Sequence, residues 1–277
     1  MALVVETDAA IGVTRLSRWI FNCYLIHDGG DGAPAVVDAG LPGLVDDLEP
    51  VMAGLGLDIA AIGGVFATHG HSDHVSGAPA LSARSRCAVH LPAGDRAYLA
   101  GEVPRTPGPA SVARIWPTVL DQPFDASGAT QAARGAKVAG YGSRAGMRWP
   151  APPPVDFLAG GDRLPGASAW QVLAAAGHTD DSIAFWHEGT RTLLSGDAVL
   201  TVGGRAWMTP ETVDGVAGRH TAERLRALDV DHLLPGHGRP VSGRGVTAQA
   251  LGPEEWPAGA VGLAGRLGRR LIRPVHR

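Results

Sequence analysis

His69-Gly70-His71-Ser72-Asp73-His74 places three imidazoles and a carboxylate within six residues. Imidazole and carboxylate together suit zinc, iron or manganese, and the run supplies no thiolate. A lone histidine is more often a surface or core residue than a ligand, so a polar loop is the bland alternative. Three later positions weigh against it. Gly177-His178-Thr179, Ser195-Gly196-Asp197 and Pro235-Gly236-His237-Gly238 each follow an apolar run, and in each a small residue precedes a metal-competent side chain. Each signal is weak alone. Together with the six-residue motif they supply enough ligands for two ions.

Such side chains meet only if a rigid scaffold presents them from its loops. Trp19 to His27 and Ala35 to Asp38 read as strands bounded by Gly and Asp. Pro42 then opens a helix with apolar positions Leu44, Leu48, Val51, Met52 and Leu55. Ile62 to Thr68 is a short apolar run ending in the histidines, followed by an expected helix from about Asp73 to Ala83 and a strand at Cys87 to Leu91. Downstream, Trp170 to Ala175, Ser182 to His187, Thr192 to Ser195 and His232 to Leu234 read as strands. Thr209-Pro210 reads as the start of a helix running to about Leu228, and Glu254 to Arg277 as a helix with a basic end. Val36-Val37-Asp38-Ala39-Gly40 and Leu193-Leu194-Ser195-Gly196-Asp197-Ala198 echo each other, as two similar βα halves would.

The middle differs. Arg105 to Gly166 is rich in Pro, Gly, Ala and Ser, with weak apolar periodicity. Ser111 to Leu120 is a candidate helix, and Asp121 to Pro154 reads as a long irregular segment. Loops of that length inside a compact domain are functional or disordered. The expected organisation is a single domain over 1–277, with the insertion at about 105–166 as a lid.

Bulk properties narrow the function. With 45% hydrophobic and 18% charged residues the chain is globular, and a net charge of -3 gives no nucleic-acid footprint. Met1 to Ile20 lacks the pattern of a signal peptide, and no apolar run reaches membrane-spanning length. Cys23 and Cys87 are the only cysteines and sit in strand-like runs, which suggests buried thiols in a reducing compartment. The expectation is a cytoplasmic protein with a small-molecule substrate, no nucleic acid and no membrane partner. Its oligomeric state is left open.

The metal motifs, their order and spacing, Asn22-Cys23-Tyr24-Leu25-Ile26 and Asp38-Ala39-Gly40 together resemble the metallo-β-lactamase superfamily over about Leu3 to His237. The resemblance implies an α/β fold, a four-layered αβ/βα sandwich with metals at one edge of the paired sheets. By motif match, His69, His71 and His178 hold a first metal, Asp73, His74 and His237 hold a second, and Asp197 bridges them. Asp38 looks like a carboxylate that orients a ligand histidine. Zinc is the first expectation for the two divalent ions, with iron or manganese as alternatives. Two such ions about 3.5–4 Å apart share a water and lower its pKa towards neutrality, giving a hydroxide nucleophile. Asp73 is the candidate to orient that nucleophile and shuttle its proton.

One departure from the pattern stands out. Many relatives read Gly-His-Thr-Pro-Gly-Ser, whereas Asp180 and Asp181 stand here in place of Pro-Gly. The preferred reading is a reshaped turn with solvent-facing carboxylates; the other is acidic groups near the first metal. Of the remaining histidines, His90 is a candidate pocket residue, while His27, His187, His220, His232 and His276 read as surface or structural. Trp116, Tyr141, Arg144 and Trp149 are candidate substrate contacts in the insertion.

Within the family, glyoxalase II would carry a glutathione-binding tail with a His-Glu-Tyr pattern after the last histidine, whereas Gly238-Arg239-Pro240 follows here. A β-lactamase would be exported, and an RNA-processing member would carry a second domain and a basic surface. The expected substrate is therefore a lactone or other small ester, with a thioester next. Two readings lie outside hydrolysis: a mononuclear iron persulfide dioxygenase, and a non-catalytic binding protein on the same fold.

Overall fold

The computed structural model describes residues 3–28, 30–139, 149 and 152–257. Among them, a seven-stranded sheet runs in sequence order from β1 (Val4–Asp8) through β2 (Val13–Arg18), β3 (Phe21–Ile26), β4 (Ala35–Val37), β5 (Gly64–Phe66) and β6 (Val89–Pro92) to β7 (Val155–Leu158). Neighbours from β1 to β4 are antiparallel, and from β4 to β7 parallel. The parallel part needs crossovers. Helix α1 (Leu44–Gly54) supplies the first, and α2 (Ser72–Val75) with α3 (Ala78–Ser85) the second. Between β6 and β7 the described residues form α4 (Asp95–Leu99), α5 (Pro109–Arg114), α6 (Trp116–Leu120) and α7 (Ala126–Ala139).

The second sheet comprises β8 (Arg163–Leu164), β9 (Ala167–Ala174), β10 (Ile183–His187) and β11 (Thr192–Gly196), with a hairpin of β12 (Val199–Val202) and β13 (Arg205–Met208) beside it. Helix α8 (Gly215–Ala227) then leads to β14 (His232–Pro235), which lies parallel to β11, and to the short edge strand β15 (Val241–Ser242).

Period-two alternation along the strands sorts side chains into layers. Leu25, Val36 and Val65 pack under Leu41, Leu44, Leu48, Met52 and Leu81 on the helical side. Tyr24, Ile26, Val37 and Phe66 point the other way, against Trp170, Val172, Phe185, Leu194 and Leu234 of the second sheet. On that sheet's far side, Ala184, Trp186, Leu193 and Leu233 meet Ala222 and Leu225 of α8. The result is the four-layered αβ/βα sandwich. Each fully buried Leu, Val or Phe contributes about 1.5–3 kcal/mol of transfer free energy to holding the layers together.

Several elements differ from the sequence expectation. The hairpin of β1 and β2 was not anticipated: every residue of β1 is exposed, so it lacks an alternating apolar face. The expected helix from Asp73 to Ala83 breaks at Ser76-Gly77, where the Gly77 amide donates to the Ala39 carbonyl at 2.7 Å instead of to the preceding turn. Asp121 to Pro154 is not irregular throughout: α7 occupies Ala126–Ala139. The last long helix starts at Gly215 rather than at Thr209-Pro210. The Asp214 carboxylate caps it, accepting from the Val216 and Ala217 amides at 2.9 and 3.0 Å. Residues 254–257 form no helix, and the rest of the expected terminal helix lies outside the described residues. Among the described residues no helix is long and apolar enough to cross a membrane.

Candidate metal centre

Parallel strands deliver their C-terminal ends to one edge, where ligands of open α/β sheets bind. Asp38 follows β4, and His69 follows β5 after two residues. His71 immediately precedes α2, which carries Asp73 and His74. From the second sheet, Asp197 follows β11, His237 follows β14, and His178 lies beyond β9. The two sheets face each other, so both sets converge. Gly40 permits the closest approach: a Cβ there would fall 1.4 Å from the Asp73 carbonyl oxygen. Only glycine lets that loop lie backbone to backbone against α2.

The seven sequence-predicted ligands form two groups, His69, His71, His178 and Asp197, and Asp73, His74 and His237, each with its ligand atoms within 4.8 Å of one another. Asp197 reaches into both. Its Oδ2 lies 3.5 Å from His178 Nε2, 4.0 Å from His69 Nε2 and 3.1 Å from His237 Nε2, and its Oδ1 lies 3.6 Å from His74 Nε2. Asp73 Oδ2 is 3.2 Å from His237 Nε2. His71 turns Nδ1 inward, 3.2 Å from His178 Nε2.

Outer partners aim the other rings. His74 donates from Nδ1 to Asp38 Oδ2 at 2.9 Å, His178 to the Glu211 carbonyl at 2.9 Å and His237 to the Ile20 carbonyl at 3.0 Å. His69 Nδ1 lies 3.1 Å from the Thr68 hydroxyl, whose proton goes to Asp38 Oδ2 at 2.9 Å. His69 therefore donates to a hydroxyl that itself donates to Asp38. Four imidazoles thus point Nε2 inward.

The inward atoms fit a pair of divalent ions. His69 Nε2, His74 Nε2 and Asp197 Oδ1 are buried with no hydrogen-bond partner. Orphans of this kind are costly unless a bound ion or water satisfies them. Electrostatics point the same way. Burial, reinforced by neighbouring imidazoles, holds His69 well below the usual histidine range and His71 at about 4, so both are neutral and ready to ligate. Burial opposes charge on His237 too, but Asp197 and Asp73 outweigh it and raise it to about 10. Burial would raise the Asp197 carboxyl, yet His237 and His74 hold it well below its normal range. An ion entering the second group must therefore displace protons.

Sequence reasoning missed two contributors, Thr68 and Glu211, and preferred a solvent-facing place for a third, Asp181. Thr68 relays Asp38 to His69. Asp181 is buried and accepts from the Gly70 amide, between two candidate ligands, at 2.9 Å, which corrects the reading of it as solvent-facing. Glu211 orients His178 through its carbonyl. Asp180 is part-exposed and paired with Arg105. His90 stacks on Phe66 with centroids 4.7 Å apart and joins neither group. Trp149 is buried in the helical-side core, whereas Trp116 is 53% exposed; Tyr141 and Arg144 lie outside the described residues.

A family model for the metallo-beta-lactamase superfamily matches residues 18–237, which include every ligand candidate. The chain belongs to the metallo-beta-lactamase superfamily. Among curated relatives it is 27% identical to the probable metallo-hydrolase YflN of Bacillus subtilis over 262 residues, covering 86% of this chain and 88% of that one. It is 30% identical to a hydroxyacylglutathione hydrolase of Methylococcus capsulatus over 211 residues, covering 75% of this chain and 58% of that relative's length. Among solved structures, TTHA1623 in a di-iron-bound form superposes with a TM-score of 0.52 at 25% identity, over 82% of this chain and 92% of that one. Rm3 metallo-beta-lactamase, at 18% identity and TM-score 0.54 over 82% and 75%, shares the fold. Membership of this superfamily and the hydrolase relatives support an enzyme.

Proposed function

We propose that this chain is a dinuclear metal-dependent hydrolase acting on a small ester, lactone or thioester. The observation that carries the reading is the Asp197 carboxylate, set within 4.0 Å of imidazoles from both groups while buried inward atoms on each side lack partners. Bound ions would supply a hydroxide at neutral pH and Lewis-acid stabilisation of the developing oxyanion. The chain's own residues do the rest. His71 and Asp73 are the half-exposed members of the cluster, so the mouth opens over them. Burial would raise the Asp73 carboxyl, but His74 and His237 outweigh it and keep the group ionised, able to accept a hydrogen bond from the nucleophile and orient it.

The hydroxyacylglutathione hydrolase relatives keep a thioester among the candidates, and the di-iron form of TTHA1623 keeps iron beside zinc and manganese. Protein loaded separately with Zn, Fe and Mn is expected to turn over a member of a lactone, thioester, β-lactam and phosphodiester panel, with acyl substrates preferred. Oxygen uptake on glutathione persulfide without hydrolysis would favour the dioxygenase alternative. Failure of every loaded form on every substrate, with ions bound, would favour a binding protein. Cys23 and Cys87 are unpaired, consistent with a reducing, cytoplasmic setting.

The insertion is read as one wall of the pocket within a single domain. Helix α7 lies across α2: the Gly43 amide donates to Gln131 Oε1 at 3.1 Å, and Gly135 packs against Ser76. Phe124, Trp19, Phe21 and the His237 ring form a continuous edge-to-face series with spacings of 5.0, 5.9 and 5.6 Å. The insertion therefore reaches the second group through aromatics. Replacing 121–154 with a brief Gly-Ser link is expected to change KM or acyl preference several-fold, because loops rather than metals set specificity in such sites. Unchanged KM and preference, with metal content retained, would make the segment surface decoration.

A further inference from the structure

The turn that presents His237 is gripped from β3. Asn22 Nδ2 donates to the Pro235 carbonyl and to the Gly238 carbonyl, each at 2.8 Å. The Asn22 backbone amide donates to the Gly236 carbonyl at 3.2 Å, and the Tyr24 hydroxyl donates to Pro235 at 2.7 Å. Two residues of one strand therefore fix carbonyls on both sides of His237. The turn has no slack towards the other ligands. A Cβ on Gly236 would fall 2.2 Å from Asp197 Oδ1 and 2.8 Å from His74 Cε1, so a shift of the turn moves His237 against both.

A remote contact fixes the Asn22 amide itself. Arg15 Nε donates to Asn22 Oδ1 at 3.0 Å. A guanidinium only donates, so it commits the amide oxygen to β2 and leaves the NH2 group for the two carbonyls. Arg15 pairs with Tyr24 in the β2–β3 register and reaches Asn22, the diagonal neighbour on the same face. Val13, Tyr24 and Ile26 of that face belong to the apolar layer between the sheets. Arg15 is buried beside them, and Glu6 Oε2 of β1 meets its charge at Nη1, 2.6 Å away. A buried ion pair seldom adds net stability over an apolar side chain of similar volume. What Arg15 adds here is direction.

We propose that Arg15 and Asn22 are positioning residues for the second metal group: the guanidinium sets the amide, and the amide holds the turn that aims His237 at the ion. This role rests on the dinuclear part of the hydrolase reading and not on its substrate. Three variants separate its components. Arg15→Met removes the donor with little change in volume. Arg15→Gln places an NH2 group as many bonds from Cα as the arginine Nε, restoring the donor without the charge. Asn22→Asp turns an oxygen towards two carbonyls.

Metal affinity is read by titration against a competing chelator, and His237→Ala shows which step belongs to the second group. That step is expected to weaken about tenfold in Arg15→Met and about 10–100-fold in Asn22→Asp, with the other step nearly unchanged. Arg15→Gln should recover most of the loss. Hydrogen exchange on the metal-free protein gives a readout without any ion. The Gly236 amide, bonded to the Gly196 carbonyl at 2.9 Å, should exchange faster in Arg15→Met, while β9 and β10 keep their wild-type rates. Should Asn22→Asp fail to fold, the Met and Gln variants decide. An unchanged second step with unchanged Gly236 exchange in Arg15→Met overturns the proposal. Equal weakening of both steps, or equal losses in Arg15→Met and Arg15→Gln, overturns it as well, because general loosening rather than aim would then be the cause. A single ion bound by wild type removes the dinuclear reading, and Gly236 exchange then decides the brace by itself: faster in Arg15→Met sustains it, and unchanged removes it.

Discussion

Asp197→Ala is expected to leave one ion or none and to reduce turnover below detection, a fall of at least about a thousandfold. Among the described residues Asp197 is the only carboxylate with an ion-pair distance to imidazoles from both groups, at 3.1 to 4.0 Å. Its charge offsets the mutual repulsion of two cations that would otherwise share a buried site. Alanine also removes the partner that, with Asp73, keeps His237 raised to about 10. Asp197→Asn isolates charge from shape: the amide fills the same space but cannot neutralise either ion. Elemental analysis after dialysis gives the stoichiometry. Two tightly held metals in Asp197→Ala would sink the bridging role, and two metals in Asp197→Asn alone would show that shape rather than charge is what matters.

The ligands were legible because their chemistry is local. Each sits immediately beyond an apolar run, and a six-residue motif carries four of them. The sandwich was legible for a related reason: Tyr24 and Ile26 against Leu25, or Phe185 against Ala184 and Trp186, show which strands are covered on both faces. What stayed hidden was packing without apolar periodicity. Helix α7 seats itself through Gly128 and Gly135, whose small size lets it approach Arg18 and Ser76, and through Gln131, which accepts from the Gly43 amide; small residues in a sequence look like a loop. Asp181 and Glu211 escaped because their roles depend on long-range partners, Gly70 and His178, that no local spacing announces. Pro210 suggested a helix start, but the backbone there is spent on anchoring to Gly177, and Asp214 caps the helix instead.

Asp38 should matter nearly as much as a ligand, because its carboxylate governs an imidazole in each group. Its Oδ1 accepts from the Thr68 amide at 2.8 Å, and its Oδ2 accepts from His74 Nδ1 and from the Thr68 hydroxyl, both at 2.9 Å. The Thr68 oxygen in turn holds His69 Nδ1 at 3.1 Å. With that carboxylate in place, His74 and His69 both carry their proton on Nδ1 and offer Nε2 to an ion. Asp38→Ala leaves the Thr68 amide and His74 Nδ1 buried without partners, at about 1–3 kcal/mol each. Alanine must also adopt φ 56°, a left-handed conformation that costs about 1–2 kcal/mol more. Lost stability and lost metal would then be hard to separate, so Asp38→Asn is the sharper test. Asparagine tolerates the left-handed backbone and can still accept from the Thr68 amide with its oxygen. Its NH2 group then faces His74 and the Thr68 hydroxyl as a donor. His74 must accept at Nδ1 and carry its proton on Nε2, and the Thr68 hydroxyl turns to donate to His69, which shifts that proton to Nε2 as well. Both inward nitrogens are blocked with little change in shape. The expected result is a thermal midpoint for the metal-free protein within a few degrees of wild type, together with a loss of about 10–100-fold in metal affinity and rate. Wild-type affinity and rate in Asp38→Asn would show that the carboxylate merely braces the Thr68 backbone, and the aim of the two histidines would then have to come from packing alone.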